Sequence, residues 1–270
     1  MRNRGSVSDL NQEQQAERRE HLIHHTYLCS KDIVYYVEQT YGVKYSRSGI
    51  TFLLHRIGFV WKKPKLIPGN ASEELRREFI AKLDKLKKEK APEGPIYYGD
   101  GVHPMHNSIA AFGWVLHGFG KPLRINTGRR RLSINGVLNI HTQKAFFNFP
   151  ESVNVDSIIR LFESLEKHHR NVKNIYVILD NTMYNRSRKI KEYLKKHPCI
   201  KIIYLPPYSP NLNLIERLWK YFKKQILYNQ YYATHHEFLA ACKNFFANLK
   251  KFRAPLRTLL TEKYHIIPLS

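Results

Sequence analysis

The chain has 270 residues, 43% of them apolar, and 45 Lys and Arg against 22 Asp and Glu, a formal charge of +23. That is enough apolar material for one large or two smaller packed domains, and too large a single-sign field for solubility alone. A polyanion, nucleic acid first, is the partner such a surface fits. The three cysteines, Cys29, Cys199 and Cys242, are far apart and form no CxxC pair, which argues against a disulfide framework or a zinc ribbon. No apolar run approaches transmembrane length, and the opening MRNRGSVSDLNQEQQAERRE lacks the apolar core of a signal peptide. The expectation is a soluble cytoplasmic protein with no membrane partner.

In chain order, residues 10–25 are polar and begin a helix. After Ser30 as N-cap, Ile33, Val34 and Val37 recur at helical spacing. A second pattern starts at Ser46 and runs through Ile50, Leu53, Leu54 and Ile57. Gly42, in YGVKY, stands where the first helix should stop. Two short helices about a glycine turn, then GFVWKKPK, predict a helix-turn-helix followed by a strand or wing. The outward face of its second helix carries Arg47, Ser48, Thr51 and His55, types suited to phosphates and base edges. The basic run Lys62, Lys63 and Lys65 follows. An ordinary helical hairpin with a solvated face is the competing reading, and the charge balance favours DNA.

Residues 71–90 predict a charged helix with Leu75, Phe79, Leu83 and Leu86 as its apolar positions and the charges as a solvated face. The Pro/Gly break APEGP ends it. The expected domains are therefore a DNA-binding unit over 1–70, a helical linker over 71–94 and a second domain over 95–270.

IYYGD (96–100) reads as a strand ending in an acid. FGWVLHG, LRINT, RLSINGVLNI and KAFFNFP predict further strands, antiparallel in the main. Asn154 caps a helix with Val155, Ile158, Ile159, Phe162 and Leu165 on one face. IYVILD (175–180) is a continuous apolar run, as in a strand buried on both faces. A basic helix near 187–196, the strand IKIIYLP, a helix containing Glu216 and a last helix around 238–249 complete the order. Strands first, then alternating helix and strand, predict a mixed α/β sheet.

Asp100 and Asp180 each end an apolar strand, and ligands of open α/β sheets sit at such ends. A carboxylate there costs free energy unless something compensates it, and a metal ion is one such compensation. Glu216 lies at the rim of the stripe Ile215, Leu218, Phe222 and Ile226, from which it can reach back toward the strand ends. Three carboxylates without a Cys or His cluster favour Mg²⁺ or Mn²⁺ over Zn²⁺. Two such ions suit phosphodiester hydrolysis. Taken singly, each acid reads more readily as a strand-end turn residue or an N-cap partner; the three together, in so basic a chain, favour the metal site. His103 and His106 are left outside the ligand set. Arg129, Arg130 and Arg131, after Gly128 in an expected hairpin, are candidates for the DNA backbone or for a solvated turn. GxGxxG, P-loop and GxSxG patterns are absent.

The order of a strand with Asp100, VILDN with Asp180, then LPPYSPNLNLIERLW with Glu216 resembles the DDE transposases of the IS630/Tc1-mariner superfamily. The stretch from SKDIVYYVEQTYGVKYS to KLIPG is similar to the second helix-turn-helix of the IS630 family. The resemblance implies a ribonuclease H-like fold preceded by a small all-α helix-turn-helix domain, possibly winged in form. It implies a catalytic and metal-binding triad of Asp100, Asp180 and Glu216 with two Mg²⁺, Mn²⁺ substituting. It further implies hydrolysis at transposon ends, attack of the freed 3′-hydroxyl on target DNA at TA, and a homodimer holding the two ends. Leu214 stands where family members often carry Pro, and Asn185 where they commonly carry His. Full-length relatives have another helix-turn-helix module, for which the first 25 residues are too few. A truncated copy and the downstream frame of a two-frame element are both open. The alternative function is a catalytically silent DNA-binding relic or inhibitor of a full-length enzyme, and a general ribonuclease H-like nuclease is the third.

Overall fold

The computed structural model describes residues 11–63, 72–90, 94–118 and 120–264. It divides into two units, Met1–Leu66 and Ile67–Ser270.

The first unit holds three helices, α1 (Gln12–His24), α2 (Ser30–Tyr41) and α3 (Arg47–Arg56). Asn11 and Gln14 close a reciprocal capping box at the start of α1. Ser30 is the first residue of α2 rather than its cap; Cys29 takes the cap position without a side-chain bond. Gly42 ends α2 at φ 67°, a left-handed conformation that costs glycine nothing. Ser46 caps α3, its Oγ accepting from the Gly49 N–H at 3.0 Å. Leu22, Ile33, Val37, Ile50 and Leu53 form the core of this unit. Residues 58–63 carry no strand. Lys65 and the rest of the expected wing lie outside the described residues.

The second unit opens with α4 (Glu73–Lys90). Three of its four predicted apolar positions, Phe79, Leu83 and Leu86, face the core, and the fourth does not. Leu75 is exposed, and the stripe runs through Arg76, Phe79 and Leu83. One of the charges read as solvated is therefore inside.

Five strands follow in the spatial order β3-β2-β1-β4-β5. They are β1 (Ile96–Val102), β2 (Ile134–Leu138), β3 (Ala145–Asn148), β4 (Ile175–Leu179) and β5 (Ile200–Tyr204). β1 pairs antiparallel with β2 and parallel with β4. Helix α5 (Val155–His168) carries the crossover from β3 to β4, and α6 (Arg188–Lys196) connects β4 to β5. Both pack on one face with Tyr97, Val177 and Ile200. The opposite face, with Tyr98, Ile134 and Ile178, is covered by α4, α7 (Ile215–Ile226), α8 (His235–Ala247) and α9 (Arg253–Leu259).

Two expected strands are absent. FGWVLHG and LRINT lie in the long connection from β1 to β2, where Phe112 and Trp114 are fully exposed. A strand needs a neighbour for its backbone groups. This connection finds one only at its base, where Met105 bridges Arg131, and at Ile109, which bridges Tyr228. Among the described residues, no helix is long and apolar enough to cross a membrane.

Candidate active site

The sheet register brings two of the three acids together. β1 and β4 run parallel with Tyr98 opposite Ile178. Two residues further along each chain stand Asp100 and Asp180, at matched positions and on the same face, because strand side chains alternate with period two. That face is the one covered by α7. Asp100 lies inside β1, which continues to Val102, rather than ending it; Asp180 directly follows β4. Glu216 sits in the first turn of α7, the end of a helix where a negative charge is best tolerated. All three line one cleft of about 410 Å³, whose far wall is the loop 205–210.

The two aspartates are held by neighbours, of which Thr182 and Trp219 were not singled out in the sequence. Thr182 Oγ1 donates to Asp180 Oδ1 at 2.9 Å, and Asn185 Nδ2 donates to the same oxygen at 2.6 Å. Asn185 is thus buried against the second acid. Trp219 Nε1 donates to Asp100 Oδ2 at 3.2 Å. Trp219 is one turn beyond Glu216, so α7 aims a carboxylate and an indole at the same strand. The indole fits because Gly136, opposite Asp100 on β2, has no side chain. A Cβ there would lie 3.0 Å from Trp219 and 2.6 Å from Phe147. Asn213, also buried, donates to the Gly99 carbonyl at 3.0 Å and ties the start of α7 to β1.

Burial first, and then the charges of Glu216 and Asp180, push the Asp100 carboxyl up to about 8; the Gly101 N–H and Trp219 oppose the rise. The crowding of negative charge is what a divalent cation relieves. The donors are all oxygen, and the buried Oδ1 atoms of Asn181 and Asn213, both on the cleft, have no hydrogen-bond partner. Such a lining fits a hard cation such as Mg²⁺ or Mn²⁺. As they stand, no three His, Cys, Asp or Glu among the described residues are arranged to hold an ion. An ion in this cleft would have to draw the carboxylates inward.

The loop 205–210 has one strained joint. Tyr208 stands at φ 54°, which costs a non-glycine residue roughly 1–2 kcal/mol. Ser209 Oγ donates to the Pro207 carbonyl at 3.1 Å. From α4, the Arg76 guanidinium donates to Ser209 Oγ at 3.2 Å and to the Tyr208 carbonyl at 3.1 Å.

The candidate DNA contacts fall elsewhere. Arg47, Ser48, Thr51, His55, Lys62 and Lys63 are all exposed in the first unit. Thr51 Oγ1 donates back to the Arg47 carbonyl at 2.8 Å, which turns its methyl outward. Arg129, Arg130 and Arg131 are exposed on the limb returning to β2, where the Arg130 carbonyl accepts from the His106 N–H at 2.8 Å. His103 bonds Ser133, and His106 stacks on Phe238 at 5.3 Å. Neither histidine lines the cleft with the acids.

The site is thus a mixed sheet with Asp100 on β1 and Asp180 just past β4, faced by Glu216 from α7. Residues 95–239 match the family described as DDE superfamily endonuclease, and residues 25–83 match a winged helix-turn helix family. The chain belongs to the DDE superfamily of endonucleases. It is 26% identical over 218 residues to the insertion element IS630 uncharacterized 39 kDa protein of Shigella sonnei. That match covers 80% of this chain and 63% of the relative, so the chain spans less than two thirds of that protein. Among solved structures it is similar to the Mos1 transposase paired-end complex with left transposon end, with TM-score 0.65, 15% identity, and 98% and 83% of the two chains covered. For the mariner Mos1 paired end complex with Mg the values are 0.63, 16%, 96% and 80%. The ribonuclease H-like sheet and the helical N-terminal unit expected from the sequence are both present.

Proposed function

We propose that the chain is a transposase of the IS630/mariner type, acting on double-stranded DNA at the ends of its own element. The observation that carries the reading is the matched placement of Asp100 and Asp180 on β1 and β4, with Glu216 on the same cleft and the Asp100 carboxyl pushed up to about 8. In this reading Asp100, Asp180 and Glu216 hold divalent ions, two Mg²⁺ with Mn²⁺ as substitute, which supply an activated water and neutralise charge at the scissile phosphate. Trp219, Thr182 and Asn185 fix the carboxylates in place before DNA arrives. Water attacks phosphorus at the element end and the bond to the 3′-oxygen breaks; the freed 3′-hydroxyl then attacks a target phosphodiester, at TA in the family pattern, joining to its phosphorus as the target's own P–O3′ bond breaks and that 3′-oxygen leaves as a hydroxyl. Arg47, Ser48, Thr51, His55, Lys62, Lys63 and Lys65 engage end DNA, Arg129, Arg130 and Arg131 contact backbone phosphates, and a second copy of the chain holds the other end. The domains in this reading are 1–70 for DNA binding, 71–94 as linker and 95–270 for catalysis. It is supported by the two family matches and by the Mos1 likeness.

The test is nicking of a labelled element-end oligonucleotide with Mg²⁺ and with EDTA, using wild type, Asp180→Asn and Glu216→Gln. Cleavage by wild type that needs Mg²⁺ and disappears in both variants is expected. Equal cleavage by the variants would sink the triad. Retarded but uncut DNA with wild type would leave a silent DNA-binding protein.

A further inference from the structure

The loop 205–210 forms the wall of the cleft that leads into Glu216, and its prolines do not by themselves fix its shape. Pro206, Pro207 and Pro210 each restrict their own φ. Ser209 is limited by the ring of Pro210 that follows it, but Tyr208 is under no proline restriction, and it occupies a left-handed conformation at φ 54° that tyrosine rarely adopts. A residue so strained persists only where its surroundings over-determine it.

Arg76 supplies that constraint. It is 2% exposed, on the inward stripe of α4. Burying a guanidinium costs free energy unless its donors are satisfied. Nε donates to Ser209 Oγ at 3.2 Å and Nη2 to the Tyr208 carbonyl at 3.1 Å, so one planar fork spans the strained Tyr208 and its neighbour Ser209. Ser209 passes the restraint on to the Pro207 carbonyl. Next along the chain come the turn at Pro210–Leu212, Asn213 bonded to Gly99, and Glu216.

We propose that Arg76 is a positioning residue for the metal site: by clamping Tyr208 and Ser209 it holds the cleft wall and the start of α7 in place, so that only the carboxylate side chains have to move inward when Glu216, Asp100 and Asp180 take up an ion. This rests on the metal-binding role proposed for the three acids. Arg76 touches neither ion nor DNA; it acts through the loop.

The test is Mn²⁺ alone titrated into the full chain without DNA, the free ion followed by its electron paramagnetic resonance signal. The proteins are wild type, Arg76→Met, Arg76→Lys, Ser209→Ala and Glu216→Gln, each with a thermal melt. Removing a group that orients a metal ligand typically weakens binding by about tenfold, and that is the loss expected for Arg76→Met. Arg76→Lys, with one ammonium in place of a fork, should fall between Arg76→Met and wild type. A purely structural role would lower the melting temperature and leave the Mn²⁺ affinity of the folded protein unchanged; that result overturns the proposal. Should Arg76→Met fail to fold, Ser209→Ala decides: Mn²⁺ binding weaker by roughly threefold or more supports the clamp, since the variant loses both the bond from the charged Arg76 and the bond to the Pro207 carbonyl, and wild-type affinity overturns it. Glu216→Gln separates the two levels. If it weakens Mn²⁺ binding while Arg76→Met does not, only the clamp fails. If Glu216→Gln binds Mn²⁺ as wild type does, the metal role of the acids fails and the clamp with it.

Discussion

Replacing Asp100 by asparagine should make the metal-free protein more stable at alkaline pH and remove its response to Mg²⁺. Burial, then Glu216 and Asp180, raise the Asp100 carboxyl to about 8. Below about pH 4, the ordinary aspartate value, Asp100 is protonated in both folded and unfolded chains and the substitution changes little. Between there and pH 8 the unfolded chain has lost a proton that the folded chain still holds. Stability therefore falls as pH rises, and the whole cost is present once the folded carboxyl ionises. Asp100 and Asp180 sit at matched places on neighbouring strands roughly 5 Å apart. Two full charges at that spacing repel by ~3 kcal/mol at an effective dielectric constant of about 20. Asparagine removes that repulsion and still accepts the Trp219 N–H. At about 2–4 °C per kcal/mol, Asp100→Asn should melt about 6–12 °C above wild type well above pH 8 in EDTA. The gap should close as the pH is lowered toward 4. Mg²⁺ at ten times its Kd adds about 1.4 kcal/mol to the protein that binds it, so wild type alone should gain about 3–6 °C. Calorimetric melts across the pH series, with EDTA and with Mg²⁺, read all of this. Identical wild-type and variant melting temperatures in EDTA at alkaline pH would show that the carboxylates are not crowded, and the reasoning would fail.

Trp219→Phe keeps the ring and deletes the N–H that opposes the rise of the Asp100 carboxyl. A hydrogen bond to a charged group is worth about 1.5–3 kcal/mol, so the pH midpoint of Mn²⁺ binding should move up by about one unit or more, and an unmoved midpoint counts against the contact. Gly136→Ala drives a methyl toward Phe147 and Trp219; it should destabilise by about 1–3 kcal/mol in urea titrations and slow nicking, while a neutral result would mean the indole can step aside.

The acids were legible because two apolar runs, IYY and IYVIL, each lead into an aspartate, and because a periodic stripe carries Glu216 at its rim. The groups that hold them were not. Trp219 to Asp100, Asn213 to Gly99 and Arg76 to Ser209 join residues more than a hundred positions apart, and no periodicity encodes such pairs. Arg76 was hidden a second way: the apolar pattern of α4 counts Leu75 as inward, and in that turn the buried position is Arg76, a charge. FGWVLHG has a strand's composition without a strand's neighbour, and composition cannot report the difference. Helix α9, beyond the last helix the pattern offered, carries Pro255 in its first turn, where proline is tolerated.

The division of the chain has a consequence in time. The core of the N-terminal unit, Leu22 to Leu53, closes within a short local stretch. The cleft requires β1, β4 and α7 to be present together. At about 5–20 residues per second, ribosomal synthesis reaches Glu216 some ten to thirty seconds after residue 63. During that interval an emerging chain owns its helical module but has no cutting site. Any product that ends early, by a stop codon or a protease, belongs permanently to that interval.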